Sequence, residues 1–384
     1  MAVGQKLVTI ASESKPNQMW LYIKNVLVCL LTCSLLFKAN AQDTKPSARF
    51  PYSKIYAYAL DADINPALSL LQDSTYELTR EDRKFIVNFR KRFAGPEDES
   101  EYMAGRSSEI DSLLLIFQDY WRVSMLNPEN HFEARLAQKV VPYLMEHYPE
   151  IRGMKVDREN LGTFLSGYIK GKGLYTMDKI DYQGSLIDLV VWKKQEEKTY
   201  DVPLNEENVK VRVVFMQDFI SLGWNEYATL GAHYPGGWTE GDALYCVKKA
   251  YDLDSENFKV SFLAHETRHF LDRKEFPELS QADMEFRSKL TELSMARETV
   301  YDLLRFFIEN ADYEAKNGHP IANFWIMHEL SKEIFDSGGP MEDMGKWKQI
   351  DCRKINKTAS LLLEKNTKNL RAIGSDVQSY IGRP

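Results

Sequence analysis

Cysteine is scarce, positive charge is not in excess, and long apolar runs are missing; each shortage narrows what this chain can be. Four cysteines in 384 residues cannot build a disulfide scaffold, so the fold must rest on a hydrophobic core. Two of them, Cys29 and Cys33, fall in an amino-terminal segment read below as a leader. That leaves Cys246 and Cys352, which either pair in an oxidising compartment or persist as separate buried thiols. Lys and Arg number 49 against 56 Asp and Glu, a formal net charge of -7, and no basic patch argues for nucleic acid. The one pronounced apolar run, residues 26–37, is short for a bilayer span, and no second one suggests a membrane-spanning mature chain. No fixed period repeats along the sequence.

What is present begins with that run. Lys24 precedes it and Ala39-Asn40-Ala41 follows it, the order of a basic flank, an apolar core and a small-residue cleavage site. We expect a secretory signal peptide over residues 1–41, with Met19 as an alternative start, then a polar linker over 42–50. The product would be secreted, periplasmic or otherwise extracytoplasmic. A hydrophobic content of 44% marks the remainder as globular and long enough for a large core or two domains.

Residues 51–180 carry helical periodicity. Thr79 followed by Glu81 and Asp82 marks a helix start, and residues 110–124 and 132–147 are amphipathic. From about 181 the pattern changes to β-branched and alternating apolar runs at 186–192, 199–204 and 209–216, with 243–247 as one more strand and 234–238 as a turn. The fold class expected is α+β: a helical amino-terminal region over 51–180 and a second region with a mixed sheet over 181–384.

The strongest chemical signal is Phe262-Leu263-Ala264-His265-Glu266-Thr267-Arg268-His269-Phe270-Leu271-Asp272, which holds one His-Glu-x-x-His pattern. On a helix, positions four apart share a face, so His265 and His269 offer two imidazole nitrogens to one metal ion, with Glu266 beside them. Val260, Leu263, Ala264, Thr267, Phe270 and Leu271 form a helical apolar stripe, and Phe262, His265, His269 and Asp272 occupy another face. Asp254 and Ser255 offer caps for this helix. Pro277 then breaks the helix, Ser280 to Asp283 reads as a capping box, and a long helix runs to about residue 310 carrying Glu285 and Glu292 on nearly the same face, either of which could complete a His-His-Glu set.

Strands, a glycine-rich turn, a last strand and a His-Glu-x-x-His helix together resemble the catalytic half of the zincin metallopeptidases. The resemblance covers about residues 180–310. It implies an edge strand above the metal helix, for which 243–247 is the candidate, and Zn2+ as the cofactor. Glu285-Phe286-Arg287-Ser288 is similar to the Glu-x-x-small pattern of the gluzincins, so the implied ligands are His265, His269 and Glu285. Lys289 departs from that pattern, standing where many relatives carry an acid. Asp272 is the rival third ligand, with a role in orienting an imidazole or a place at the exposed helix end as its other readings, and Glu292 is a supporting acid or the partner of an arginine.

The implied activity is that of a secreted zinc metallopeptidase acting on peptide or protein substrates. Zinc would lower the pKa of its water to roughly 7, and Glu266 would take the proton as general base and return it to the leaving amine. Candidate donors to the oxyanion are His233, Tyr234, Tyr301, His319 and His328, with His319 favoured because it sits in a turn-like Asn-Gly-His-Pro sequence. The alternative is a non-catalytic cell-envelope binding protein with a zincin-like domain.

Overall fold

A computed structural model describes residues 50–73, 76–95, 108–204, 207–315 and 317–382. The expected signal peptide, its cleavage site and all of the linker but Phe50 lie outside the described residues. In chain order come helices α1 (Tyr52–Leu60), α2 (Asn65–Leu70), α3 (Arg80–Phe93), α4 (Glu109–Leu126), α5 (Glu133–His147) and α6 (Leu161–Gly171). Strands β1 (Tyr175–Thr176), β2 (Tyr182–Gln183), β3 (Leu186–Ile187), β4 (Val190–Pro203) and β5 (Asn208–Leu222) follow, then α7 (Trp224–Ala228), β6 (Gly237–Glu240) and β7 (Ala243–Val247). The remainder is helical: a π-helical segment Asn257–Ala264, then α8 (His265–Glu275), α9 (Gln281–Met295), α10 (Val300–Glu309), α11 (Gly318–Phe335), α12 (Met344–Trp347) and α13 (Cys352–Ile373). The α+β class follows directly.

Local chemistry accounts for many boundaries. Thr79 caps α3 in a reciprocal box with Asp82, and Ser108 does the same for α4 with Asp111. At α9, Ser280 Oγ accepts the Asp283 amide, but the return bond is not made. The Asp283 carboxylate instead receives the backbone amides of Tyr380 and Ile381, anchoring the end of the chain.

Helices α1 to α6 share a core with α7 that includes Phe117, Trp121, Leu189, Val191 and Trp224. It therefore continues past residue 180. A second core joins α9, α10, α11 and α13 through Leu290, Leu304, Ile326 and Ile355. A third lies between the sheet and the π-helical segment, with Phe215, Leu244, Phe258, Phe262 and Leu263. Helix α8, which carries His265 and His269, is thus held with the sheet to one side and α9 to the other.

The five-stranded sheet has the order β1-β4-β5-β7-β6; β5 and β7 are parallel and the other neighbours antiparallel. Two expectations fail here. Residues 186–192 and 199–204 are not two separate strands: 186–187 form β3, paired with β2, while 190–203, the polar stretch 193–198 included, form β4, which pairs with β5 from Val190 to Pro203 with one register shift at Val191/Trp192. Residues 243–247 are a strand but not an edge, since β7 lies between β5 and β6. The edge is Gly237–Glu240, within and beyond the stretch expected to be a turn. Gly237 permits this, because a Cβ there would fall 2.4 Å from both the Phe262 ring and the Tyr245 carbonyl oxygen.

Two helical expectations are also corrected. The long helix to residue 310 is two helices, α9 and α10, with a corner between them. Glu256 makes the corner by accepting the amides of Arg297, Glu298 and Thr299 and the Thr299 hydroxyl. Phe262, expected on the chemical face, is 1% exposed in the third core. The π-helical winding that ends immediately before His265 turns it there, since a wider turn changes which residues align.

Candidate functional site

His265 opens α8 and His269 follows one turn later, so their imidazoles project from one face. Glu285 reaches the same point from α9. All three are buried, at 8%, 6% and 5% exposure, and their ligating atoms lie within 4.8 Å of one another. The Nε2 atoms of the two histidines are 3.0 Å apart. His269 Nε2 is 3.2 Å from Glu285 Oε1, and His265 Nε2 is 3.6 Å from Glu285 Oε2.

The two Glu285 distances run to different carboxylate oxygens, and the Nε2–Nε2 and Nε2–Oε1 separations are near those of neighbouring ligands in a tetrahedral site. With metal bonds of about 2.05 Å, two ligands of a tetrahedron are separated by about 3.3 Å. The tautomers fit as well. Glu292 Oε1 lies 2.6 Å from His265 Nδ1 and, being an acceptor, holds a proton there, so that in the neutral imidazole Nε2 is the nitrogen with the free lone pair. Ser288 Oγ stands 3.2 Å from His269 Nδ1. Glu285 Oε2 is buried, and His319 Nδ1 stands 2.9 Å from it as an ion-pair partner.

Electrostatics follow from this crowding. Burial opposes charge on His265, but Glu292, Glu285 and Glu266 outweigh it and raise the imidazole to about 9. Burial likewise opposes charge on Glu285, yet His319 and His269 hold its carboxyl well below the ordinary carboxylate range.

Glu266 follows His265 on the helix and is half-buried. Thr239 of the edge strand meets it, with Oγ1 2.9 Å from Glu266 Oε2. Nothing local in the sequence marks this contact, which joins residues 27 apart.

Asp272 lies outside the His265–His269–Glu285 cluster, makes no hydrogen bond to an imidazole among the described residues and is not at an exposed helix end. It is 1% exposed and bound by both arms of the wholly buried Arg287, at 2.8 and 2.9 Å. Arg287 also donates to Asn366 and Thr367 of α13, tying α8, α9 and α13 together. Glu292 pairs with a histidine, not with an arginine. Arg268, the charge between the two histidines, is buried and donates Nε to Thr291. Lys289 lies over the Phe307 ring at 5.0 Å, so the acid that steadies a histidine comes from Glu292, three residues further on.

Of the five oxyanion candidates, the structure brings His319 to the cluster. Tyr301 donates to the Ile350 carbonyl, His328 packs on Phe324 and Trp325, His233 lies against Tyr56, and Tyr234 stacks under Lys249. Ser255, an expected cap, does accept the Phe258 amide at the start of the π-helical segment. Cys246 and Cys352 are both free thiols; Cys246 is buried on β7, and burial pushes its thiol up to about 12. Comparison with protein-family models, with curated proteins and with solved structures finds no match.

Proposed function

We propose that the chain is a zinc-dependent hydrolase of peptide bonds, working outside the cytoplasm after removal of residues 1–41. The observation that carries this reading is the buried cluster of His265, His269 and Glu285, in which one donor atom from each residue lies within 4.8 Å of the other two. Three protein ligands, rather than four, are what a catalytic zinc site keeps.

Zinc held there would supply Lewis acidity, polarising a carbonyl oxygen and lowering the pKa of water to about 7. The chain's own residues do the rest. Glu292 and Ser288 orient the two imidazoles from behind. Glu266 accepts a proton from the attacking water on its carboxylate and delivers it to the leaving nitrogen. His319, half exposed beside Glu285, is the donor assigned to the developing oxyanion. The open edge of β6 beside Glu266 offers backbone groups for an extended peptide to pair with.

The test is hydrolysis of a mixed peptide library by the full chain loaded with zinc. Wild type should cleave, Glu266→Gln should keep its metal and lose cleavage, and His319→Ala should lose about a hundredfold or more in turnover. Undiminished cleavage by Glu266→Gln removes Glu266 as the general base, and a zinc-loaded wild type that cleaves nothing removes the hydrolytic reading and favours a binding protein built on the same fold.

A further inference from the structure

Thr239 is a polar residue buried to 6% exposure on the edge strand, and neither sheet pairing nor core packing explains its hydroxyl. Its Oγ1 faces Glu266 twice: Oε2 at 2.9 Å and the backbone carbonyl oxygen at 3.1 Å. A hydroxyl has one proton to give, and an ionised carboxylate is the stronger acceptor. Thr239 is itself held from two sides. Its backbone stands opposite Leu244 in the β6–β7 ladder, and its carbonyl oxygen accepts from Arg273 Nη1 on the last turn of α8. Strand and metal helix are thus tied at one residue.

A glutamate side chain turns about three bonds and does not keep one carboxylate orientation unaided. Oε2 is engaged by Thr239; among the described residues no protein group hydrogen-bonds to Oε1. We propose that Thr239 is a positioning residue for the general base, holding Oε2 so that Oε1 is the oxygen presented for proton transfer. The proposal rests on the hydrolase reading for its consequence, but the positioning itself does not need it.

Thr239→Val is nearly isosteric and removes only the donor, and Thr239→Ser restores it. Both are made in the full chain, with zinc content, kinetics and a crystal structure measured for each. Thr239→Val should keep its zinc, hold KM within about twofold and lose about tenfold or more in kcat, since a hydrogen bond to a charged group is at stake. Thr239→Ser should recover most of the loss. In the crystal structure of Thr239→Val the Glu266 carboxylate should be rotated or spread over several positions. A carboxylate that stays in place, or an unaltered kcat, overturns the proposal. Should wild type cleave no peptide, the hydrolase reading falls, and the crystal structures alone decide the positioning: a displaced carboxylate sustains it and an undisplaced one ends it.

Discussion

Glu292 places Oε1 2.6 Å from Nδ1 of His265, and that one contact sets which imidazole nitrogen faces the cluster. In the proposed metal site it would also put a negative charge behind this imidazole, strengthening its donation to a cation. Glu292→Gln keeps an acceptor but removes the charge. It should weaken zinc affinity by about 10–100-fold while leaving the stoichiometry at saturation unchanged. Competition titration against a chelator measures this; an unchanged affinity would mean that Glu292 does nothing for the metal.

In the proposed site, proton and metal would compete for His265. Its pKa, lowered by burial but raised more by three carboxylates, is about 9, so the metal-free protein carries a proton there at neutral pH. Zinc affinity should therefore rise with pH, by about tenfold per unit from this residue, and this component should level off near pH 9. The same raised pKa stabilises the metal-free fold fully below the ordinary histidine value of 6.5, and this stabilisation is lost as pH climbs through about 9. Thermal melts of the metal-free chain between pH 6 and pH 10 should show that fall, and saturating zinc should abolish it. Melts that coincide with and without zinc across this range would contradict the assignment.

Asp272 and Arg287 form a buried pair, and breaking one partner strands the other's charge. Asp272→Ala should cost about 3–5 kcal/mol in denaturant unfolding. Because Asp272 lies outside the His265–His269–Glu285 cluster, the folded fraction of Asp272→Asn should still take up zinc as wild type does. A variant that is stable but metal-free would restore Asp272 to the ligand set.

Gly223 adopts φ +90°, and a Cβ there would lie 2.3 Å from Asp188 Oδ2. Asp188 accepts the amides of Leu189 and Trp224, fixing the turn between β5 and α7. Gly223→Ala combines left-handed backbone with that clash, so urea unfolding should show a loss of about 2 kcal/mol or more. A loss under about 0.5 kcal/mol would show that the turn relaxes freely.

What the sequence disclosed and what it concealed divide along contact distance. Thr79 and Ser280 announced helix starts because a cap acts within three residues. The His265–His269 pair was legible because four residues make one turn, and Glu285 stood out through a short pattern on the following helix. Glu256 capping a corner 41 residues away, Asp272 closing on Arg287, and Thr239 crossing from strand to helix carry no local signature. The edge strand was misplaced for a related reason. Pro235-Gly236-Gly237 reads as a turn, and only the packing of Gly237 on Phe262 shows why glycine belongs in a strand there. The π-helical segment escaped because a 3.6-residue period was assumed through a stretch wound more widely.

Zinc content separates the readings most directly. After dialysis against zinc and removal of the excess, metal analysis of the purified full chain should give about one zinc per wild-type molecule, and Glu285→Ala should give essentially none while retaining the wild-type circular dichroism spectrum. Wild type without zinc, or a folded Glu285→Ala that keeps it, would contradict the claim that His265, His269 and Glu285 form one metal centre.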